Sequence, residues 1–222
     1  MQPLLQAFEF SYPDGYLFLD RGGAVCQKLR KRFPELLAKA VDRLQIDMER
    51  PDKGLELYFG VRTASIRQTS NAGEDFGTVA SEFARILAEA LELSSLESFR
   101  YQQIVGRACA SIDAATALMR PLIAKEAQER LGQLASETEW RAVQAEFVRK
   151  NLLFQDRIAI LEFIPHESTT GAKIPHITVR FDIKGLEPVD LSALDVKALI
   201  QNLGRKHLEE VIARIAPHLS VP

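Results

Sequence analysis

Residues 54–62 read Gly54-Leu55-Glu56-Leu57-Tyr58-Phe59-Gly60-Val61-Arg62, with an apolar side chain at every second position. An alternation with a period of two sends successive side chains to opposite faces of a β-strand. The turn-forming run Arg-Pro-Asp-Lys-Gly occupies residues 50–54, and a second alternation, Leu-Gln-Ile-Asp-Met-Glu, occupies residues 44–49. Together they predict a β-hairpin with one apolar and one polar face, and therefore a sheet that rests with one side on a core.

Hairpins and helices also alternate through the rest of the first half of the chain. Helices are predicted where apolar residues recur at helical spacing, and strands where they alternate or cluster beside turn residues. Pro34 is expected to end or kink the first helix. The predicted elements, in chain order, are a hairpin (residues 8–12 and 16–19), a helix (25–33, extended over 36–41), the hairpin above, a helix (76–90) and a strand (99–112).

The second half continues the same kinds of element. Residues 158–164 are mostly apolar at both odd and even positions, so both faces of the segment are apolar. This is typical of a central strand that is covered on both sides. Residues 176–183 alternate and predict a further strand. The remaining predictions are helical: a helix from residue 114 capped by Asp113, a mostly helical segment over 125–150, and a final amphipathic helix over 194–215.

This order of elements predicts an α+β fold, with a mostly antiparallel sheet built from hairpin–helix units and helices packed on the sheet. The 222 residues suit one domain over 1–222. A loose recurrence of the hairpin–helix unit would divide that domain into two pseudo-repeated halves, 1–112 and 113–222.

Composition narrows the class of protein. A net charge of -2 gives no electrostatic argument for a nucleic acid or an anionic membrane as partner. We expect no membrane span, because no apolar run approaches the ~20 residues that a bilayer requires. The N-terminal residues lack the features of a signal peptide, so we expect a cytoplasmic protein in which Cys26 and Cys109 are reduced, unreactive core residues.

The layout resembles a sporadically distributed family of uncharacterised bacterial proteins. The likeness rests on Phe33-Pro34 at the end of the first helix, the strand and helix over Leu55–Ile66 and from Phe76, Val105-Gly106-Arg107 in a strand, and Val189-Asp190-Leu191 before the last helix. Residues 125–151 have no counterpart in that family. The resemblance implies a protein of a bacterial accessory system, of the defence or mobile-element kind, and it implies no catalytic residues.

Arginines recur on the predicted strands, and two tyrosines accompany them. If they shared one face of the sheet, they would bind a small anion or a nucleic acid, with aromatic rings as stacking surfaces. Acidic residues on the same strands, such as Glu56 and Asp182, would neutralise that surface. The candidate ligand-binding residues are Arg62, Arg100, Arg107, Arg180, Tyr58 and Tyr101.

Metal and cofactor chemistry have little support in the sequence. His166 and His176 flank a loop between two predicted strands and are weak candidates for metal ligands, because they lack a tight spacing motif. We therefore expect no cofactor and no metal centre.

Three functions remain open at this point. The absence of a nucleophile–base motif favours a non-catalytic binding or assembly protein over an enzyme. The alternatives are an enzyme or binder that acts on a small anionic ligand through the strand arginines, and a nucleic-acid-binding accessory protein. The long apolar stripe of the last helix predicts a homodimer, or a contact with another protein, through the C-terminal helix.

Overall fold

A large antiparallel sheet dominates the computed structural model of the protein. Within the described residues, nine strands form that sheet, and every pair of neighbours in it is antiparallel. Helices pack on one face, so the predicted α+β class with a mostly antiparallel sheet is confirmed. The structure describes residues 2–13, 15–69, 75–111, 114, 145–150, 154–163, 166–167, 173–174, 176–185, 188–191 and 194–202.

The sheet has the strand order β2-β3-β4-β5-β1-β7-β12-β9-β8, with β2 and β8 at its edges. Two further strand pairs, β10–β11 and β6–β13, are short. The strands are β1 (Gln2–Ser11), β2 (Leu37–Val41), β3 (Gln45–Arg50), β4 (Leu55–Gly60), β5 (Thr63–Thr69), β6 (Ser95–Leu96), β7 (Ser98–Ala108), β8 (Ala145–Lys150), β9 (Phe154–Phe163), β10 (His166–Glu167), β11 (Lys173–Ile174), β12 (His176–Gly185) and β13 (Val189–Asp190). The helices are α1 (Phe18–Arg32), α2 (Phe76–Leu91) and the helical residues 196–202, with a short 3-10 turn over Pro51–Lys53.

The hairpin predicted from residues 44–62 is present as β3 and β4. Ile46 pairs with Phe59 and Met48 with Leu57, and all four side chains are buried. The 3-10 turn joins the two strands and ends at Gly54 in the left-handed region, with a φ of 55°. The period-two pattern therefore predicted both the strands and the face that each residue occupies.

The core lies between one face of the sheet and helices α1 and α2. Phe18 of α1 meets Phe59 of β4 edge-on, with ring centroids 5.9 Å apart, and Phe83 of α2 meets Phe10 of β1 at 6.1 Å. Each of Phe59, Phe83, Ile160 and Phe181 stands at an apolar position of its predicted strand or helix, and from the sequence we expect the four side chains to form one buried cluster. Phe59 and Phe83 do belong to one buried cluster. The side chains of Ile160 and Phe181 lie outside the described residues.

The opposite face of the central sheet carries polar and charged side chains, and we call it the polar face. Its positions alternate along each strand with the buried ones. Its described members include Glu9, Ser11, Gln45, Asp47, Glu49, Glu56, Tyr58, Ser65, Arg67, Ser98, Arg100, Gln102, Asp182 and Lys184.

The first predicted hairpin is wrong in its second strand. Residues 16–19 form a turn and the start of α1, whereas β1 pairs with the distant strands β5 and β7. Phe18 belongs to the helical stripe that continues through Val25 and Leu29 into the core. Burial of that stripe, together with the hydrogen bonds that β1 makes to β5 and β7, outweighs the local turn signal.

Two segments that were predicted as helical are strands. Residues 37–41 form the edge strand β2, because α1 ends before Pro34 and Glu35 turns the chain through a positive φ of 72°. Residues 145–150 form β8, which pairs with β9 along its whole length. Helical spacing in such short segments is weak evidence, and pairing with a neighbouring strand decided their structure. The rest of the segment 125–150 and the cap at Asp113 lie outside the described residues.

The start of the predicted last helix packs on its own chain. Residues 196–202 are helical, and Val196 and Ile200 are buried in the main core. The remaining residues of the predicted helix, 203–215, lie outside the described part of the chain. No helix among the described residues is long and apolar enough to cross a membrane.

Candidate functional site

The predicted arginines occupy different parts of the sheet. Arg62 is exposed in the turn between β4 and β5. Arg100 lies on the polar face, and Arg180, which pairs with Ile104 of β7, stands at a position of the same parity. Arg107 stands at the opposite parity, that of the buried Tyr101. The register therefore does not bring all four positions to one face.

The two predicted tyrosines are also separated. Tyr58 is half-buried on the polar face, where its hydroxyl donates to Gln45 Oε1 at 3.3 Å. Tyr101 is fully buried against Phe76, and its hydroxyl accepts a hydrogen bond from Gln6 Nε2 at 3.0 Å. Burial raises the pKa of Tyr101 to about 12. Tyr101 is thus a core residue, and the prediction that it forms part of an exposed binding surface is corrected.

The predicted metal candidates lie on two strands. His166 is in β10 and pairs with Ile174, whereas His176 begins β12 and pairs with Ala108. Their side chains are outside the described part of the structure. Among the residues that the structure does describe, no three histidine, cysteine, aspartate or glutamate side chains come together as a metal site would require.

Both cysteines are thiols rather than halves of a disulfide, and both are half-buried. Cys26 lies on α1 and packs against the core. Burial raises the pKa of the Cys26 thiol, although the nearby Arg30 opposes the shift. A raised pKa leaves less thiolate at neutral pH, and the thiolate is the nucleophilic form.

A cleft of about 450 Å³ opens on the polar face where β1, β7 and β12 lie side by side, and we call it the polar cleft. In one row across these strands, Glu9 pairs with Arg100 and Arg100 with Lys184. In a neighbouring row, the hydroxyls of Ser11 and Ser98 are hydrogen-bonded at 2.7 Å. The described residues that line the cleft are Glu9, Phe10, Ser11, Ser98, Phe99, Arg100, Asp182 and Lys184.

Arg100 is engaged within the cleft by a carboxylate of its own chain. Its Nε donates to Asp182 Oδ1 at 2.7 Å, and its Nη2 donates to Asp182 Oδ2. The hydrogen bond to Asp182 is the largest cause of the raised pKa of Arg100. A bidentate pair of this kind occupies the guanidinium edge that would otherwise bind an anionic ligand. The neutralising role expected of Asp182 is therefore present in the structure.

Other charges on the polar face are mixed in the same way. Glu56 lies 3.9 Å from Arg67, and Lys39 on the edge strand β2 lies 3.0 Å from Glu49 of β3. Positive and negative side chains alternate between neighbouring strands, so the described part of this face is not the continuous basic surface that nucleic-acid binding favours.

A second surface feature lies on the edge strand β2, in the β2–β3 turn and at the start of α1, and it was not predicted from the sequence. Five large apolar side chains are exposed in the described part of the chain, and we call them the apolar edge: Tyr16, Leu19, Leu37, Val41 and Leu44. All residues of the outermost strand β2 are exposed. Period-two alternation identifies the apolar positions of a strand, but it does not predict which strand will lie at the edge of the sheet with its apolar side chains exposed.

The two parts of the apolar edge meet near the end of β4. Leu44 lies in the β2–β3 turn, and its carbonyl accepts a hydrogen bond from Val61 N at 3.1 Å. Gly15, just before Tyr16 and α1, is so close to the Val61 carbonyl that a Cβ there would lie 1.9 Å from the oxygen. Val61 therefore brings the start of α1 and the β2–β3 turn to the same corner of the molecule.

The chain matches no protein-family model, and it has no significant match among curated proteins. Neither result bears on the resemblance to the sporadically distributed bacterial family, which stays a prediction.

Proposed function

We propose that this protein is a non-catalytic binding protein that assembles with a second copy of itself, and that the apolar edge is the surface of contact. The observation that carries the proposal is the exposure of Leu37, Val41 and Leu44, which are 58%, 66% and 61% accessible along the outermost strand and its turn. Exposed apolar residues grouped on one surface mark sites of protein–protein contact.

The edge strand itself favours a partner with an extended chain. Among the described residues, β2 pairs with β3 on one side only, so its other side presents backbone N–H and C=O groups to a further strand. Two features restrict which strand is accepted. The register shift between Ala38 and Ala40 interrupts regular pairing, and Lys39 brings a positive charge to the middle of the strand.

A second copy supplies the complementary chemistry. In an antiparallel contact about a two-fold axis, paired residues lie on the same face of the strands, so an axis at Val41 places the exposed Val41 side chains of the two copies side by side. A two-fold contact is closed, so it yields a dimer rather than a fibre. This proposal moves the expected homodimer contact from the C-terminal helix to β2, because Val196 and Ile200 pack into their own core.

The non-catalytic part of the proposal has its own support. Two of the predicted binding groups are occupied or covered: Arg100 by Asp182, and Tyr101 by the core. The raised pKa of the Cys26 thiol opposes a role as nucleophile. Membership of a bacterial accessory system remains part of the proposal and rests on the resemblance alone.

Sedimentation equilibrium at micromolar concentrations tests the proposal. We expect a dimer for the unaltered protein and a monomer for the double variant Leu37→Glu, Val41→Lys. The matched control is Ala24→Lys, which adds a charge at an exposed position of α1 and should leave the dimer intact. A monomeric unaltered protein, or a double variant that remains dimeric, would contradict the proposal.

A further inference from the structure

The polar cleft lies away from the apolar edge. Its strands β1, β7 and β12 are interior strands, and three strands, β5, β4 and β3, lie between β1 and the edge strand β2. Its chemistry is therefore independent of the dimer contact, and a ligand site in the cleft does not rest on the proposed function.

The row Glu9–Arg100–Lys184 determines which charges the cleft presents. Neighbouring strands lie about 4.8 Å apart, so Glu9 and Lys184 are attached about 10 Å apart, with Arg100 between them. Arg100 is directed to Asp182 by two hydrogen bonds. In the described part of the chain neither Glu9 nor Lys184 forms a salt bridge, although the Glu9 charge acts on the neighbouring Arg100. One negative and one positive charge thus stand on opposite sides of the cleft.

The space between these two charges is polar. The Ser11 and Ser98 hydroxyls, hydrogen-bonded to each other at 2.7 Å, lie in the row beside Glu9 and Arg100. Each hydroxyl has one donor and two acceptor positions, so the pair retains capacity for additional hydrogen bonds. The volume of about 450 Å³ falls within the range of roughly 300–1,000 Å³ that small-molecule sites occupy.

We infer that the polar cleft binds a small zwitterion whose two charges are separated by several bonds. Its ammonium group contacts the Glu9 carboxylate, its carboxylate contacts the Lys184 ammonium, and the groups between them hydrogen-bond to Ser11 and Ser98. A simple anion would satisfy Lys184 and be repelled by Glu9 and Asp182, and a simple cation would be repelled by Lys184 and Arg100. A short peptide with free ends has the required charges and length.

Isothermal titration calorimetry with triglycine as the probe tests this inference. N-acetyl-triglycine lacks the positive charge and triglycine amide lacks the negative charge, while glycine has both charges too close together. We expect triglycine to bind at millimolar or lower concentration and each of the other three compounds to bind at least tenfold more weakly.

Variants of the charged cleft residues test whether triglycine binds in the polar cleft. Glu9→Gln and Lys184→Met should each weaken triglycine binding at least tenfold, because each removes one charge while Gln keeps the shape of Glu and Met keeps an unbranched side chain in place of Lys. Arg67→Gln, on the same face of the sheet outside the cleft, is the control and should bind as the unaltered protein does. Thermal melts verify that the variants are folded.

Three results would overturn the inference: no heat of binding with triglycine, equal binding of the singly charged compounds, or binding that both cleft variants retain. The readout is separate from that of the dimer. Loss of dimerisation with peptide binding retained would refute the proposed function alone, and the converse would refute the cleft alone.

Discussion

Arg100 and Asp182 lie diagonally across β7 and β12, and the guanidinium of Arg100 donates two hydrogen bonds to the Asp182 carboxylate. The Asp182 side chain is only 14% accessible, whereas that of Arg100 is 48% accessible. The pair joins two strands that lie far apart in the sequence. It engages the guanidinium of Arg100, the predicted anion-binding arginine that lines the polar cleft, in a contact within the sheet.

A double-mutant cycle with Arg100→Gln and Asp182→Asn should give a coupling free energy of about 1 kcal/mol in urea melts. The bidentate geometry strengthens the pair, while the exposure of Arg100 weakens it through solvent screening. The same cycle on Glu56 and Arg67, whose charged atoms are 3.9 Å apart with both side chains about half exposed, serves as control. That pair should show no measurable coupling. Equal coupling energies for the two pairs would contradict the assignment.

Truncation of Phe59 to alanine should lower the free energy of unfolding by about 3–5 kcal/mol, because the ring is completely buried and its loss leaves a cavity. Chemical denaturation monitored by circular dichroism measures the change. Leu37→Ala, on the exposed edge strand, is the control and should change the stability of the monomer by no more than about 0.5 kcal/mol. A small effect at Phe59 would mean that the faces of β4 are inverted.

Two glycines are predicted to respond in opposite directions to alanine. Gly54 has a φ of 55°, and a Cβ at this position would lie 1.8 Å from Thr69 Oγ1. Gly54→Ala should therefore destabilise the protein by at least about 1–2 kcal/mol. Gly23 lies inside α1, and a Cβ there would meet no atom within 4 Å. Gly23→Ala should stabilise the protein by about 0.5–1 kcal/mol. Thermal or urea melts measure both variants. A Gly54→Ala variant that is not destabilised would refute the geometry of the β3–β4 turn, and a destabilised Gly23→Ala variant would refute the open space beside α1.

Stability should fall as the pH rises above 10. Burial raises the pKa of Tyr101 from 10.0 to about 12, so between these values the unfolded chain has lost the proton that the folded protein retains. The unfolded state is then favoured, and the loss attributable to Tyr101 approaches about 2–3 kcal/mol near pH 12. The raised pKa of the buried Tyr12 acts in the same direction.

Urea melts at several alkaline pH values measure this slope. Tyr101→Phe keeps the ring and removes the ionisable hydroxyl, together with its hydrogen bond to Gln6. The variant should therefore be less stable at neutral pH but should lose less stability between pH 10 and pH 12. An unchanged slope would show that Tyr101 does not ionise with a raised pKa.

Local patterns in the sequence were sufficient to predict the elements with strong periodicity, together with the face that each one buries. The alternation of Leu55, Leu57 and Phe59 predicted β4 and its buried face, and the helical spacing of Phe76 and Phe83 predicted α2. In each case the period of the apolar residues is a property of the segment itself, since burying one face requires that spacing whichever partner covers it.

The tertiary structure decided which strands became neighbours, and through them the site. β1 pairs with the distant strands β5 and β7 rather than with the nearby residues 16–19. Residues 37–41 form an edge strand whose residues are all exposed. The availability of Arg100 depends on Asp182, which lies 82 residues away in the chain. Strand pairing and its register depend on hydrogen bonds and packing between distant segments, and the periodicity of one segment carries no information about the segment that lies beside it.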